Sequence, residues 1–168
     1  MKTLKDVVLA IKEAKTVLLC GKESSGKTQA LKEIVRDLSL TDTILVLSNH
    51  KEIQCSAFKP ENVDGLYKPK DCSIVGLEYL DTPNDFIFID EFCENMEEII
   101  NNIDKTVVFV KTVKDEDLTT YLKTFDLVVE VSKDNMGTAL FLNIFKQWFF
   151  HSPQCFCGVY FLILNYFI

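Results

Sequence analysis

The sequence predicts an α/β fold, a mostly parallel sheet flanked by helices on both faces and closed by a C-terminal hairpin strand. Three observations predict it. Short continuous apolar runs alternate with segments of helical period from residue 1 to about 146, and strands that are apolar on both faces need helices on both sides of their sheet. The first run leads into a glycine-rich loop at the start of a helix. A later run, Phe86-Ile87-Phe88-Ile89, ends in paired acids, Asp90-Glu91.

The elements follow in order. Leu4, Val7, Val8 and Ile11 share one helix face, so residues 4 to 14 read as a helix. Thr16 to Cys20 is the first strand. Leu31, Ile34, Val35 and Leu38 keep the i, i+3, i+4, i+7 spacing and predict a helix from about Lys27 to Leu38. Thr43 to Ser48 is a buried strand. Residues 50 to 72, with Pro60, Gly65 and Pro69, read as a long irregular connection with a short extended piece. Ser73 to Leu80 reads as a short helix. The strand Phe86–Ile89 is followed by a helix marked by Met96, Ile99, Ile100 and Ile103. Thr106 to Lys111 is a strand, Leu118 to Phe125 a helix and Leu127 to Val131 a strand. Lys133 to Gly137 is a turn, and Thr138 to Phe145 a hairpin partner.

At 168 residues the chain is large enough for one real core. Its net charge is −7 and it has no basic tail or cluster, which argues against a protein built chiefly to grip nucleic acid. Six cysteines lie at 20, 55, 72, 93, 155 and 157 without any C-x-x-C pair. They read as reduced thiols of a cytoplasmic protein. Cys155 and Cys157 near His151 make only half of a metal set. Met1 to Lys15 carries charges throughout and lacks the apolar stretch of a signal peptide.

Residues 21 to 28 read Gly-Lys-Glu-Ser-Ser-Gly-Lys-Thr, a full G-x-x-x-x-G-K-[ST] phosphate loop, or Walker A motif. A chance match in a turn would lack the strand before it and the helix after it. Consecutive backbone N–H groups at a helix N-terminus wrap phosphates, and glycines allow the close approach. Gly21, Lys22, Glu23, Ser24, Ser25, Gly26, Lys27, Thr28 and the following Gln29 are therefore the candidate nucleotide-binding residues. Lys27 supplies a point charge for the β and γ phosphates. Thr28 offers its hydroxyl to Mg²⁺, and ATP is the expected nucleotide.

Hydrolysis also needs a metal anchor and an activated water. Asp90 closes an apolar strand, where its carboxylate faces the crevice at the strands' carboxyl ends and can hold Mg²⁺ through water. Glu91 follows directly and is the candidate catalytic base, with Lys27 as the second catalytic candidate. Glu94, Glu97 and Glu98 read as a solvated helix face. Asp115 to Asp117 read as a helix start, where acids suit the macrodipole.

The order of these segments resembles the ATPase domain of the type II/type IV secretion and pilus-motor family, a RecA-like P-loop NTPase fold. The resemblance covers residues 1 to about 145. It includes the helix ahead of the loop, the strand from Thr43 with the residues after it to Ile53, Ser73–Leu80 ahead of Asp85–Glu91, and Phe125–Val131 with its hairpin. It implies a nucleotide-driven motor or switch subunit working in a homo-oligomer or larger complex. Four departures stand against it. Ser48 and Asn49 occupy the place of that family's acidic box, with Glu52 the nearest carboxylate. Lys111 to Val113 contain no histidine where the family has a histidine box. Asp90-Glu91 replaces its Gly-Glu. These 168 residues carry no counterpart of its amino-terminal domain.

Arg36 is the only arginine, eight residues beyond Thr28 and so about 12 Å up the helix. Any arginine finger must come from a neighbour or another protein, or a lysine must serve less well. The expectation is an ATP hydrolase that is slow as an isolated monomer. A nucleoside or other small-molecule kinase and a non-catalytic ATP-binding module are the alternatives.

Residues 147 to 168 form a separate aromatic tail with no Lys, Arg, Asp or Glu. His151 to Gln154 and Gly158 interrupt it, so its apolar stretch is too short to span a bilayer alone. Packing on the domain, contact with a membrane or partner, and an end foreign to the fold remain three open readings.

Overall fold

The computed structural model describes residues 4–48, 62–67, 73–91, 93–113, 118–133 and 140–146. The aromatic tail, Glu52, the acids at 115 to 117 and the turn at 134 to 139 lie outside the described residues.

Among the described residues seven strands form one sheet: β1 (Thr16–Gly21), β2 (Ile44–Ser48), β3 (Val63–Tyr67), β4 (Phe86–Ile89), β5 (Thr106–Thr112), β6 (Leu127–Lys133) and β7 (Leu140–Lys146). Their order is β3-β2-β4-β5-β1-β6-β7. The first six run parallel, and β7 returns antiparallel to β6, with Leu127 opposite Lys146 and Lys133 opposite Leu140. The predicted parallel sheet and hairpin are thus both present.

Among the described residues four helices accompany them: α1 (Leu4–Lys12), α2 (Lys27–Leu38), α3 (Met96–Asn102) and α4 (Leu118–Tyr121). Alternate residues of each strand face opposite ways, so the strands feed two cores. Val17 and Leu19 of β1, Val46 of β2 and Val108 of β5 pack with α1 and α2. Leu18, Cys20, Leu47, Ile89 and Phe109 pack with Ile99 of α3 and with Tyr121, Leu122 and Phe125 at the end of α4. Phe109 and Phe125 meet edge to face, with centroids 5.9 Å apart. The second core anchors β5, the strand beside β1.

The short extended piece after β2 is a paired edge strand, β3, which lacks the apolar run that marks a buried strand because Asp64 and Gly65 sit at its solvent-exposed middle. Two elements differ from the expectation. The helix expected over Ser73–Leu80 is a single 3₁₀ turn, Leu77–Tyr79. The helix from Leu118 stops at Tyr121. In both short elements the spacing of apolar residues follows attachment to the core more than helical persistence.

Two reciprocal clamps pin the amino ends of the strands. Asp126 Oδ2 accepts from the Thr16 amide (2.9 Å) and hydroxyl (3.0 Å), while the Asp126 amide donates to Thr16 Oγ1. Asp85 Oδ2 likewise accepts from the Thr43 amide (2.9 Å) and hydroxyl (2.7 Å), and its amide donates to Thr43 Oγ1. The first clamp ties β1 to β6 and the second ties β2 to β4. Both set the register of strands whose opposite, carboxyl ends form the site. Among the described residues no helix is long and apolar enough to cross a membrane.

Candidate functional site

The carboxyl ends of β1, β4, β5 and β6 lie along one edge of the sheet, where the connection leaving β1 runs towards β2 and the one leaving its neighbour β5 runs the other way, to β6. That edge is the usual ligand crevice of an open α/β sheet. Residues 21 to 28 occupy it.

The loop's glycines are dictated by crowding. A Cβ on Gly21 would lie 2.4 Å from the Val131 carbonyl of β6 and 2.5 Å from Ser25 Oγ. Gly26 has φ 93°, and a Cβ there would meet Leu140 Cδ2 at 2.3 Å and Lys133 Cε at 2.9 Å. Ser24 also sits in the left-handed region, at φ 59°. Helix α2 starts at Lys27 with no side-chain cap and no acid in its first turn. Its first N–H groups therefore face the crevice without a competing carboxylate, the arrangement that suits an anion. Ser25 is buried, and its hydroxyl has no hydrogen-bond partner among the described residues.

Lys27 curls back over the loop. Its ammonium donates to the carbonyls of Lys22 (2.7 Å) and Gly21 (3.2 Å). Each carbonyl has another donor, the amides of Ser25 (3.2 Å) and Val113 (3.0 Å). Burial pulls the Lys27 ammonium below its ordinary value, opposed by charge interactions with Cys20, Asp90 and Glu23. Asp90 is therefore near enough for its charge to act on Lys27.

Asp90 is 4% exposed. Its Oδ2 accepts a 2.7 Å bond from the Ser48 hydroxyl, and its Oδ1 accepts from the Glu91 amide at 3.2 Å. The Asp90 amide continues the ladder to Leu47 at 2.8 Å. Glu91 leaves the strand at φ 62°, a conformation uncommon for a residue with a Cβ. Such strain concentrates at functional sites.

A cavity of about 480 Å³ opens beside the loop. Ser24, Gly26, Lys27, Thr28 and Gln29 line it, together with Lys32 and Lys133. Sequence reasoning missed Ser48, Lys32 and Lys133. Lys32 was findable, since it stands four residues beyond Thr28 on the same helix face. Ser48 and Lys133 reach the site only through strand pairing. Glu94, Glu97 and Glu98 are solvent-exposed, as expected. Arg36 pairs with Glu33 on the exposed side of α2. Lys111, at the end of β5, donates to the Tyr121 hydroxyl at 2.7 Å and lies 4.8 Å from that ring's centroid.

The donor set fits a magnesium nucleotide. The loop offers N–H groups, an unpartnered buried hydroxyl and a lysine, and a buried carboxylate stands nearby. Among the described residues no three His, Cys, Asp or Glu side chains cluster as metal ligands. Mg²⁺ suits such a place, because it takes few protein ligands and completes its shell with water and phosphate.

No protein-family model matches the chain, and no curated protein matches it. Solved structures do. The VirB11 ATPase of the Brucella suis type IV secretion system, solved in complex with sulphate, matches with a TM-score of 0.57 at 13% identity, over 88% of this chain and 56% of that one. The flagellar accessory protein FlaH of Methanocaldococcus jannaschii matches with a TM-score of 0.54 at 13% identity, over 79% of this chain and 77% of that one. The chain has the α/β RecA-like P-loop fold of these proteins, so the resemblance read from the sequence holds at the level of fold. It spans little more than half the length of the VirB11 chain.

Proposed function

We propose that this chain binds Mg·ATP at Gly21–Gln29 and hydrolyses it, slowly when isolated. One observation carries the reading. A phosphate loop with open helix N–H groups lies on the same sheet edge as a buried carboxylate, Asp90, whose charge acts on the loop's Lys27.

The residues divide the work. The amides from Ser24 to Thr28 hold phosphate oxygens, and Lys27 exchanges its loop carbonyls for the β and γ phosphates. Thr28 and Asp90 would hold the cation. Bound Mg²⁺ would neutralise charge on the phosphates. Glu91 orients the attacking water and takes its proton, a contribution of about 10²- to 10⁴-fold. Its left-handed backbone turns the side chain out of the strand's alternation.

The arginine is paired with Glu33, two turns up α2 from the loop. Fast turnover therefore draws on a cation from another subunit or partner, and the chain works in an oligomer or larger complex in the cytoplasm as a motor or switch. Arginine fingers add about 10³- to 10⁵-fold in enzymes that use them. A second reading, a non-catalytic ATP-binding module, is favoured by Ser48 and Lys111 standing where the secretion family has acidic and histidine boxes. A kinase reading has no corresponding observation.

Phosphate release in single turnover, followed across protein concentration and with nucleosides added, tests the proposal. Slow release that rises with concentration is expected. Tight ATP binding with no release would establish the binding module, and transfer to a nucleoside would establish the kinase.

A further inference from the structure

The sheet order places two charged side chains on opposite flanks of the phosphate loop. Asp90 leaves β4, which lies two strands from β1 on the β5 side. Lys133 ends β6, which pairs directly with β1 on the other side. Neighbouring strands are about 4.8 Å apart, so Asp90 stands roughly 10 Å to one side of the loop strand and Lys133 roughly 5 Å to the other. Asp90 and Lys133 therefore approach the loop from opposite sides.

Lys133 also touches the loop. Its Cε lies 2.9 Å from where a Cβ on Gly26 would stand, so the bare glycine makes room for the lysine stem. Its side chain lines the cavity with Thr28, Gln29 and Lys32. The ammonium has no hydrogen-bond or ion-pair partner among the described residues. An exposed cation laid over a phosphate loop is arranged for an anion that arrives from solution.

We infer that Lys133 is a second phosphate-binding cation of this chain, acting within its own subunit on the phosphates nearest the nucleoside, those that ADP and ATP share. The inference rests on the proposed nucleotide site and adds a residue to it. Asp90, on the far flank, defines the side of the metal and the terminal phosphate. Lys133 stands on the near flank and shares its cavity with Gln29 and Lys32. A cation there contributes equally to ADP and ATP. It holds the nucleotide before and after hydrolysis and does not discriminate between the two states.

The test is calorimetric titration of ADP and of Mg·ATP into the full chain and three variants, each checked by thermal melting. Lys133→Met keeps the stem and removes the charge. Lys133→Arg keeps the charge. Lys123→Met removes an exposed charge beyond α4, at the opposite end of the sheet. Lys133→Met is expected to weaken both nucleotides by the same factor, about fivefold at low ionic strength, with a loss that shrinks as salt is added. Lys133→Arg and Lys123→Met are expected to keep wild-type affinity. Unchanged affinity in a folded Lys133→Met, or a loss confined to ATP, would overturn the assignment while leaving the nucleotide site in place. A wild-type protein that binds neither nucleotide would overturn both.

Discussion

The hydroxyl of Ser48 donates a 2.7 Å hydrogen bond to Oδ2 of Asp90, and both residues are buried. Strands β2 and β4 pair in parallel with Leu47 opposite Ile89, so the next residues along, Ser48 and Asp90, come side by side at the sheet's carboxyl edge. A buried carboxylate is costly unless it is hydrogen-bonded. Ser48 satisfies one oxygen and the Glu91 amide the other, and this fixes the carboxylate's orientation.

Ser48→Ala should therefore disturb the site more than the fold. The expected loss of stability is about 1–2 kcal/mol, because an acceptor is left short of one donor. Mg²⁺-dependent ATP affinity should fall with it, and Asp90→Asn should lose more of that dependence. Titrating Mg²⁺ at fixed ATP measures both effects. Metal dependence unchanged in both variants would remove Asp90 from the cation site.

Glu91 combines strain with a proposed catalytic role, which makes two substitutions informative together. Glu91→Gln should keep ATP binding and lose turnover by about 10²- to 10⁴-fold. Glu91→Gly should lose turnover as severely yet melt higher, by roughly 0.5–1 kcal/mol, since glycine accepts φ 62° without a Cβ clash. Thermal melts beside single-turnover assays separate the two effects. A Glu91→Gly protein that is less stable than wild type would show that the left-handed turn carries no strain.

Lys27 predicts a proton linkage. Burial holds its ammonium below the ordinary value of 10.5 in the free protein. Phosphate charge favours the protonated form, so binding raises the value again. ATP affinity should then fall as pH rises through the depressed value, and binding in that range should take up protons. Titrations in two buffers of different ionisation enthalpy measure the uptake. The same shift acts on folding. The charged form is disfavoured in the folded state, so Lys27 makes its smallest contribution to stability below the depressed value, and stability from this group rises with pH up to 10.5. Proton release on binding would contradict the assignment.

The Thr43–Asp85 clamp predicts an acid-sensitive contribution of the opposite sign. Hydrogen bonds from the Thr43 amide and hydroxyl hold the Asp85 carboxyl below its ordinary 3.8. The stabilisation is present above that value and is lost as pH falls through the depressed folded value. Asp85→Ala should cost about 1 kcal/mol near neutrality, and the difference should vanish in strong acid. Denaturant midpoints at the two pH values test it. A pH-independent difference would mean that the side chain acts through packing.

Much of this was legible in the sequence because its signals are local. The phosphate loop is a contiguous motif, and Thr16–Gly21, Ile44–Ser48 and Phe86–Ile89 are unbroken apolar runs that only a sheet covered on both sides accepts. Helix α2 was readable from its apolar spacing. What escaped depends on pairing between distant segments. Val63–Tyr67 carries Asp64 and Gly65, and it becomes a strand by adding to the edge of β2. The Ser48–Asp90 bond spans 42 residues and depends on the β2–β4 register. Lys133 reads as part of a turn because the apolar run ends at Val131, and pairing with β7 carries the strand two residues further, over Gly26.

The most direct test of the account is a calorimetric titration of Mg·ATP into the wild-type chain and into Lys27→Met. The Gly21 and Lys22 carbonyls keep the Val113 and Ser25 amides when the ammonium is removed, so the variant should fold. The account predicts one nucleotide per wild-type chain and a binding signal lost in Lys27→Met, with no fall in melting temperature. A wild-type chain that binds no nucleotide, or a folded Lys27→Met that binds as tightly as wild type, would contradict it.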